Sequence, residues 1–285
     1  MSPNRSFGGV FILMLLVIST AACHTVQPTP APPTSSASTT LMIVPTSTQT
    51  ASPTAPACDQ QPGQTIEETL SSPLIPRPLE IRIYLPPCYD EQSDQPYPTL
   101  YLFHGLGDSY DQWPRLGLLD LADQWLMNQR IEPFIIVMPW EQSGQDMVAA
   151  VLNVLIPHME AAYHVRIDPE GRAMGGISRG GGWALAIAAN DPQAFGAIGL
   201  HSTGVLNSFS YLRVKFQQAW SSAQPRLWID VGERDTLRTR ALEILELFDR
   251  LGLEYTWHLN PGDHSDTYWS THIQEYLDWY TQAWQ

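Results

Sequence analysis

The sequence predicts an α/β domain with a mostly parallel, doubly wound sheet over residues 58–285. Two observations carry that expectation. Short apolar runs alternate with longer stretches in which apolar residues recur every three or four positions. Most of the short runs also lack a polar face, as strands do when helices cover both sides of a sheet.

The first run is the exception. In "LEIRIYLP" (79–86), Ile81, Ile83 and Leu85 point one way and Glu80, Arg82 and Tyr84 the other. That alternation predicts a half-exposed, antiparallel strand. The runs "TLYLFH" (99–104), "FIIVMP" (134–139), "RAMGGI" (172–177), "AIGLHS" (197–202) and "LWIDVG" (227–232) read as buried strands, with a final strand inside "EYTWHLN". Between them, residues 116–129, 146–163, 181–190 and 241–252 show helical spacing, and a last helix follows His264.

The chain before residue 58 has a different composition. Arg5 precedes an apolar stretch from Phe7 to Ala22 that ends in small residues, the layout of a secretory signal over residues 1–22. It is short for a membrane span, which takes about 17–25 residues. "TAAC" resembles a bacterial lipobox with Cys23 as the lipidated residue, although Thr20 stands where Leu is usual; plain secretion is the alternative. Residues 23–57 are rich in Pro, Thr, Ser and Ala with almost no charge, a composition that gives a disordered linker rather than a core. Both routes place the domain outside the cytoplasm, lipid-anchored or secreted. With Cys23 set aside, Cys58 and Cys88 remain, and an oxidising compartment favours a disulfide between them over two free thiols. A net charge of −14 with few basic residues argues against nucleic acid as a partner. No metal-ligand cluster or phosphate-binding loop is apparent, so neither metal nor cofactor is expected.

In sheets of this kind ligands bind beyond the carboxyl ends of the strands. After "RAMGGI" comes Ser178, within Gly176-Ile177-Ser178-Arg179-Gly180. This G-x-S-x-G pattern, with a strand before and a helix after, predicts a sharp turn that exposes a nucleophilic hydroxyl. Gly176 and Gly180 are the two glycines such a turn demands. A serine needs a base, and the base needs an orienting acid. Beyond "LWIDVG" lie Glu233 and Asp235; beyond the last strand lies His264, with Asp266 close by. The order Ser178, Asp235, His264 is that of an α/β-hydrolase triad, with Glu233 a nearby alternative acid. Oxyanion donors are expected at the backbone N–H groups of Leu106 and Arg179, with Gly105 or Gly107 as alternatives to Leu106. His104, at a strand end, reads as structural. His201 could line the site or serve packing.

The stretches "LYLFHGLGDSYDQW", "LIPHMEAAYHV" leading to "GGISRGG", "FGAIGLHS", "DVGERD" and "PGDHSDTYW" together resemble the esterase D family of α/β-hydrolases, which includes feruloyl and acetylxylan esterases, S-formylglutathione hydrolases and mycolyltransferases. The resemblance implies an α/β-hydrolase fold and ester hydrolysis or acyl transfer through Ser178, Asp235 and His264. Arg179 departs from the apolar residue usual after the serine; its side chain is expected to pair with Glu233 or Asp108. Residues 201–225 leave room for one helix and no lid domain, so an open site is expected, suited to a polymer-borne or other extracellular ester, carbohydrate-linked for example. Trp113, Trp140 and Trp269 could flank a substrate or simply pack. An acyltransferase and a non-catalytic binding protein on the same scaffold are the alternatives.

Overall fold

The computed structural model describes residues 61–219 and 224–285. Eight strands form one sheet: β1 (Gln64–Leu70), β2 (Leu79–Leu85), β3 (Thr99–Phe103), β4 (Ile135–Pro139), β5 (Arg172–Ile177), β6 (Ala197–His201), β7 (Arg226–Gly232) and β8 (Thr256–Asn260). Their order across the sheet is β1-β2-β4-β3-β5-β6-β7-β8. β2 runs antiparallel to both β1 and β4, as its alternation predicts, and β3 to β8 are all parallel to their neighbours. β1 escapes the sequence patterns because "QTIEETL" is a mostly exposed edge strand with few apolar residues.

The helices are α1 (Gln112–Arg115), α2 (Leu118–Met127), α3 (Met147–Ala150), α4 (Ile156–Ala162), α5 (Arg179–Asn190), α6 (Phe209–Ala219), α7 (Arg238–Leu251) and α8 (Asp266–Thr281). The helix expected over 116–129 begins at Leu118 as α2, after Gly117, whose φ of +92° a side chain would resist. The helix expected over 146–163 is present but changes pitch midway. Asp146 caps its start by accepting from Val148 and Ala149 N–H. A π-helical turn, Val151–Leu155, then joins α3 to α4. Pro157 lies just beyond and cannot donate to the carbonyl four residues before it, which favours a change of pitch there.

The parallel strands divide their side chains between two apolar layers. Tyr101, Phe103 and Val137 pack with Leu185 and Ile187 of α5, Leu212 of α6 and Phe248 of α7. Leu100, Leu102, Ile136 and Met138 pack on the other face with Trp113, Trp125 and the α8 residues Tyr276 and Leu277. After β3 the chain moves outward to β4, then returns to β5 on the far side. That reversal leaves a crevice beyond the carboxyl ends of β3 and β5, the place where open α/β sheets bind ligands.

Candidate active site

Ser178 sits in that crevice at the end of β5, with φ 56° and ψ −114°. A non-glycine residue there is strained, so the surroundings must hold it. They do so through its backbone. Ser178 N–H donates to His201 C=O at 2.8 Å, and Ser178 C=O accepts from Gly204 N–H at 2.9 Å. The two glycines of the motif are required by close approach. A Cβ at Gly176 would lie 2.2 Å from the Gly180 carbonyl carbon, and one at Gly180 would lie 2.3 Å from Phe103 O.

His264 and Asp235 reach the serine from the loops after β8 and β7. Ser178 Oγ lies 2.9 Å from His264 Nε2, and His264 Nδ1 lies 2.9 Å from Asp235 Oδ2. The Asp235 side chain is fully buried and also accepts from Leu237 N–H at 2.6 Å. Burial opposes its charge, but hydrogen bonds from His264, Leu237 N–H and the Ser202 hydroxyl outweigh that and hold the carboxyl below the usual carboxylate range. An ionised carboxylate only accepts, so Nδ1 carries the imidazole proton and Nε2 is left to accept from Ser178 O–H. Glu233 points to solvent, and Asp266 pairs with Arg115 at 3.0 Å. Asp235 is thus the acid the fold brings to His264.

The loop after β3 presents Leu106. Its orientation follows from its neighbours' hydrogen bonds. Gly105 N–H donates to Gln112 Oε1 at 2.7 Å, and Gly105 C=O lies 2.8 Å from His104 Nδ1. Glu141 N–H donates to His104 Nε2 at 2.8 Å. With Nε2 accepting, Nδ1 must be the protonated nitrogen, so His104 is neutral; burial also lowers its pKa. Pinning the Gly105 carbonyl toward His104 turns the N–H on the other side of that trans peptide, that of Leu106, the opposite way. Among the described residues Leu106 N–H has no hydrogen-bond partner. His104 is therefore the structural residue its strand-end position suggests, and Gly105 N–H is already committed.

The Arg179 side chain corrects an expectation. It forks onto Glu141, with Nε at 2.7 Å from Oε2 and Nη2 at 2.7 Å from Oε1, rather than pairing with Glu233 or Asp108. Asp108 is taken by Arg115 at 2.6 Å, and Glu233 follows β7, on the far side of β5 from β4. Glu141 follows β4 and is anchored by its own N–H on His104, which places its carboxylate within reach. Of the three tryptophans, Trp113 and Trp269 are core residues, and only Trp140 is partly open, edge-on to Tyr110.

Sequence reasoning left His201 open and missed Asp230 and Ser202. His201 and Asp230 are both fully buried, with Nδ1 and Oδ1 2.7 Å apart. His201 Nε2 lies 2.8 Å from Tyr280 Oη. Asp230 also accepts from Tyr268, Tyr276 and Trp228. The only pattern that hints at this pair is their position on neighbouring strands, where they stand in register.

The signal, the linker, Cys23 and Cys58 lie outside the described residues. Cys88 lies in an exposed stretch after β2. Among the described residues no helix is long and apolar enough to cross a membrane.

The sheet, its crossover and the hydroxyl–imidazole–carboxylate row define an α/β-hydrolase. Within that class the chain belongs to the Esterase family, whose model matches residues 72–280. It is 30% identical over 138 residues to an endo-1,4-beta-xylanase/feruloyl esterase of Xylanibacter ruminicola, covering 43% of this chain and 19% of that protein. It is 32% identical over 137 residues to the esterase Rv1288 of Mycobacterium tuberculosis, covering 43% of this chain and 28% of that one. The chain thus spans under a third of the length of these relatives. Among solved structures, a ferulic acid esterase from Anaeromyces mucronatus in complex with ferulic acid superposes with a TM-score of 0.67 at 21% identity, covering 79% of this chain and 93% of that one. That likeness supports the fold.

Proposed function

We propose that this chain is a serine carboxylic-ester hydrolase working through an acyl-enzyme. The observation that carries the reading is the continuous row from Ser178 Oγ through His264 to Asp235, with 2.9 Å at each step. Ser178 attacks the ester carbonyl as His264 Nε2 takes its proton. The same imidazole then gives that proton to the departing alcohol, leaving an ester on Ser178 Oγ. Water, activated in turn by His264, releases the acid. Asp235 holds the imidazole and balances its charge. Leu106 N–H and Arg179 N–H receive the oxyanion; losing one such donor typically costs about 3–4 kcal/mol of barrier stabilisation.

The substrate we propose is an extracellular ester, carbohydrate-linked or similar. Three observations support it. Among the described residues between β6 and β7 there is one helix, α6, and no lid. The N-terminal sequence has the pattern of a secretory signal with a lipid-accepting Cys23, followed by a linker. A relative is named for both xylanase and feruloyl esterase. Export also gives Cys58 and Cys88 the oxidising setting for a disulfide.

The test uses the full chain with p-nitrophenyl acetate and butyrate, beside Ser178→Ala. Serine-dependent turnover and fluorophosphonate labelling are the expected results. Equal rates for both proteins, with no labelling of either, would remove the reading. A panel of feruloyl, acetyl-sugar and lipid esters then ranks substrates; a strong preference for lipid esters would overturn the carbohydrate assignment.

A further inference from the structure

The proposed mechanism uses the backbone of Arg179 and leaves its side chain idle. In the sheet β3 lies between β4 and β5. Glu141 follows β4, the loop from His104 to Leu106 follows β3, and Arg179 follows β5. The Arg179–Glu141 ion pair therefore reaches from β5 to β4, across the strand that carries the Leu106 loop. The start of α5 also sits close against that strand, since a Cβ at Gly180 would lie 2.6 Å from the His104 carbonyl oxygen. Glu141 itself is a fixed post. Its N–H donates to His104 Nε2 at 2.8 Å. Trp140 before it donates its N–H to the Glu80 carbonyl at 2.8 Å, and Gln142 after it donates its side-chain amide to Glu80 Oε1 at 2.7 Å. The Glu141 side chain is only 8% exposed, against 33% for that of Arg179. A carboxylate so enclosed needs a charged partner, and the two-pronged contact with Nε and Nη2 of Arg179 supplies it in a fixed geometry.

We propose that Glu141 and the Arg179 side chain form a strap that sets the spacing of the two oxyanion donors, both residues acting as positioning residues for the ester reaction. The inference rests on the Ser178–His264–Asp235 reading above. Each donor is tied to Glu141 by a different part of that residue. Through its backbone, Glu141 N–H fixes the His104 ring, His104 Nδ1 holds the Gly105 carbonyl at 2.8 Å, and that carbonyl sets the direction of Leu106 N–H. Through its carboxylate, Glu141 holds the guanidinium of Arg179, the residue that opens α5 and whose N–H finds no acceptor within the helix. An oxyanion forms only as the ester carbonyl becomes tetrahedral. A strap that keeps two N–H groups aimed at that later position lowers the barrier without tightening the grip on the ground-state ester.

Arg179→Met is the informative variant, because methionine keeps an unbranched side chain of good helix propensity and removes only the charged fork. The full chain is assayed on p-nitrophenyl acetate, with intact sites counted by complete fluorophosphonate labelling so that any unfolded fraction drops out. The expected result is kcat per labelled site about fivefold lower at unchanged KM. The inhibition constant of phenylboronic acid, which forms a tetrahedral anion on a serine hydroxyl, should rise by the same factor. Arg179→Lys, which keeps the charge without the fork, should recover part of both losses. Glu141→Gln should act in the same direction as Arg179→Met, and joining the two should cost little more than either. Wild-type kcat per site in Arg179→Met overturns the inference. A lower kcat with an unmoved boronate constant, the signature of a merely structural pair, also overturns it, as do fully additive losses in the double variant. Full turnover in Ser178→Ala would sink the reading beneath; its loss there beside an unaffected Arg179→Met sinks this inference alone.

Discussion

Two histidine–aspartate pairs stand at the carboxyl ends of this sheet, each separated by the same 29 positions in the chain. One, His264–Asp235, opens onto the crevice, with 26% of the histidine side chain exposed. The other, His201–Asp230, is sealed, with no exposure of either side chain. The contact distances are alike, 2.9 Å and 2.7 Å. The groups on the second imidazole nitrogen differ. His264 meets the partly exposed Ser178 hydroxyl, whereas His201 meets the phenol of Tyr280, whose pKa burial pushes well above its ordinary value. On the proposed reading, the same two side chains serve proton transfer in one place and anchorage in the other, and access together with the third group decides which.

The sharpest break of that comparison is Ser178→Ala, which should lower kcat by on the order of 10⁴-fold or more and leave the unfolding midpoint nearly unchanged, as read by ester assay and thermal melt. Asp235→Asn should lower kcat by about 10⁴-fold, since the amide no longer holds the imidazole in its working tautomer. The sealed pair should behave in the opposite sense. Asp230→Ala leaves His201 and the two tyrosine hydroxyls of α8 without their shared acceptor and should destabilise by about 3–5 kcal/mol in urea unfolding. Its turnover per folded molecule should stay within severalfold of wild type.

Acid provides a further contrast. Burial disfavours the charge of Asp230, but His201, Tyr276 and Tyr268 more than compensate, so its folded pKa lies below the ordinary carboxylate value. A depressed pKa contributes stability that is present above the unfolded value of about 3.9 and lost as pH falls through the folded one. Wild-type stability should therefore decline below about pH 4 more steeply than that of Asp230→Asn, which has no proton to gain there. Asp235→Asn should flatten the same acid limb, because that carboxyl is lowered too. The smallest effect belongs to Arg179→Ala. Its partly exposed guanidinium pairs with Glu141, and the loss should be no more than about 1 kcal/mol with a severalfold fall in kcat/KM. No change in either would show that the pair is ornamental.

The open pair was legible in the sequence and the sealed one was not. Ser178 announces itself through flanking glycines, and His264 through its place after the last strand, because an exposed hydroxyl demands a local backbone pattern. Asp235 was narrowed but shared the choice with Glu233; burial, which decides between them, is a property of the folded loop. His201 and Asp230 meet only because β6 and β7 pair in one particular register, and residue order does not carry register. Glu141 was missed for the same reason: it reaches Arg179 because β4 lies outside β3, a matter of strand order. The antiparallel β2 and the buried parallel strands were readable from apolar spacing, although the Tyr84 side of β2 is more buried than its alternation suggests, while β1 was hidden by its polarity.

The Tyr280 hydroxyl has one more consequence. It lies across the sheet at Gly175 and Gly199, where an added Cβ would fall 1.6 Å and 1.9 Å from it. A methyl group at either glycine is therefore blocked one step at a time. The tyrosine would have to shrink first, abandoning His201 and exposing the interior to repacking. These three positions form a lock that variation must open in a fixed order, so a library that randomises the strands while keeping α8 constant should return glycine at both places.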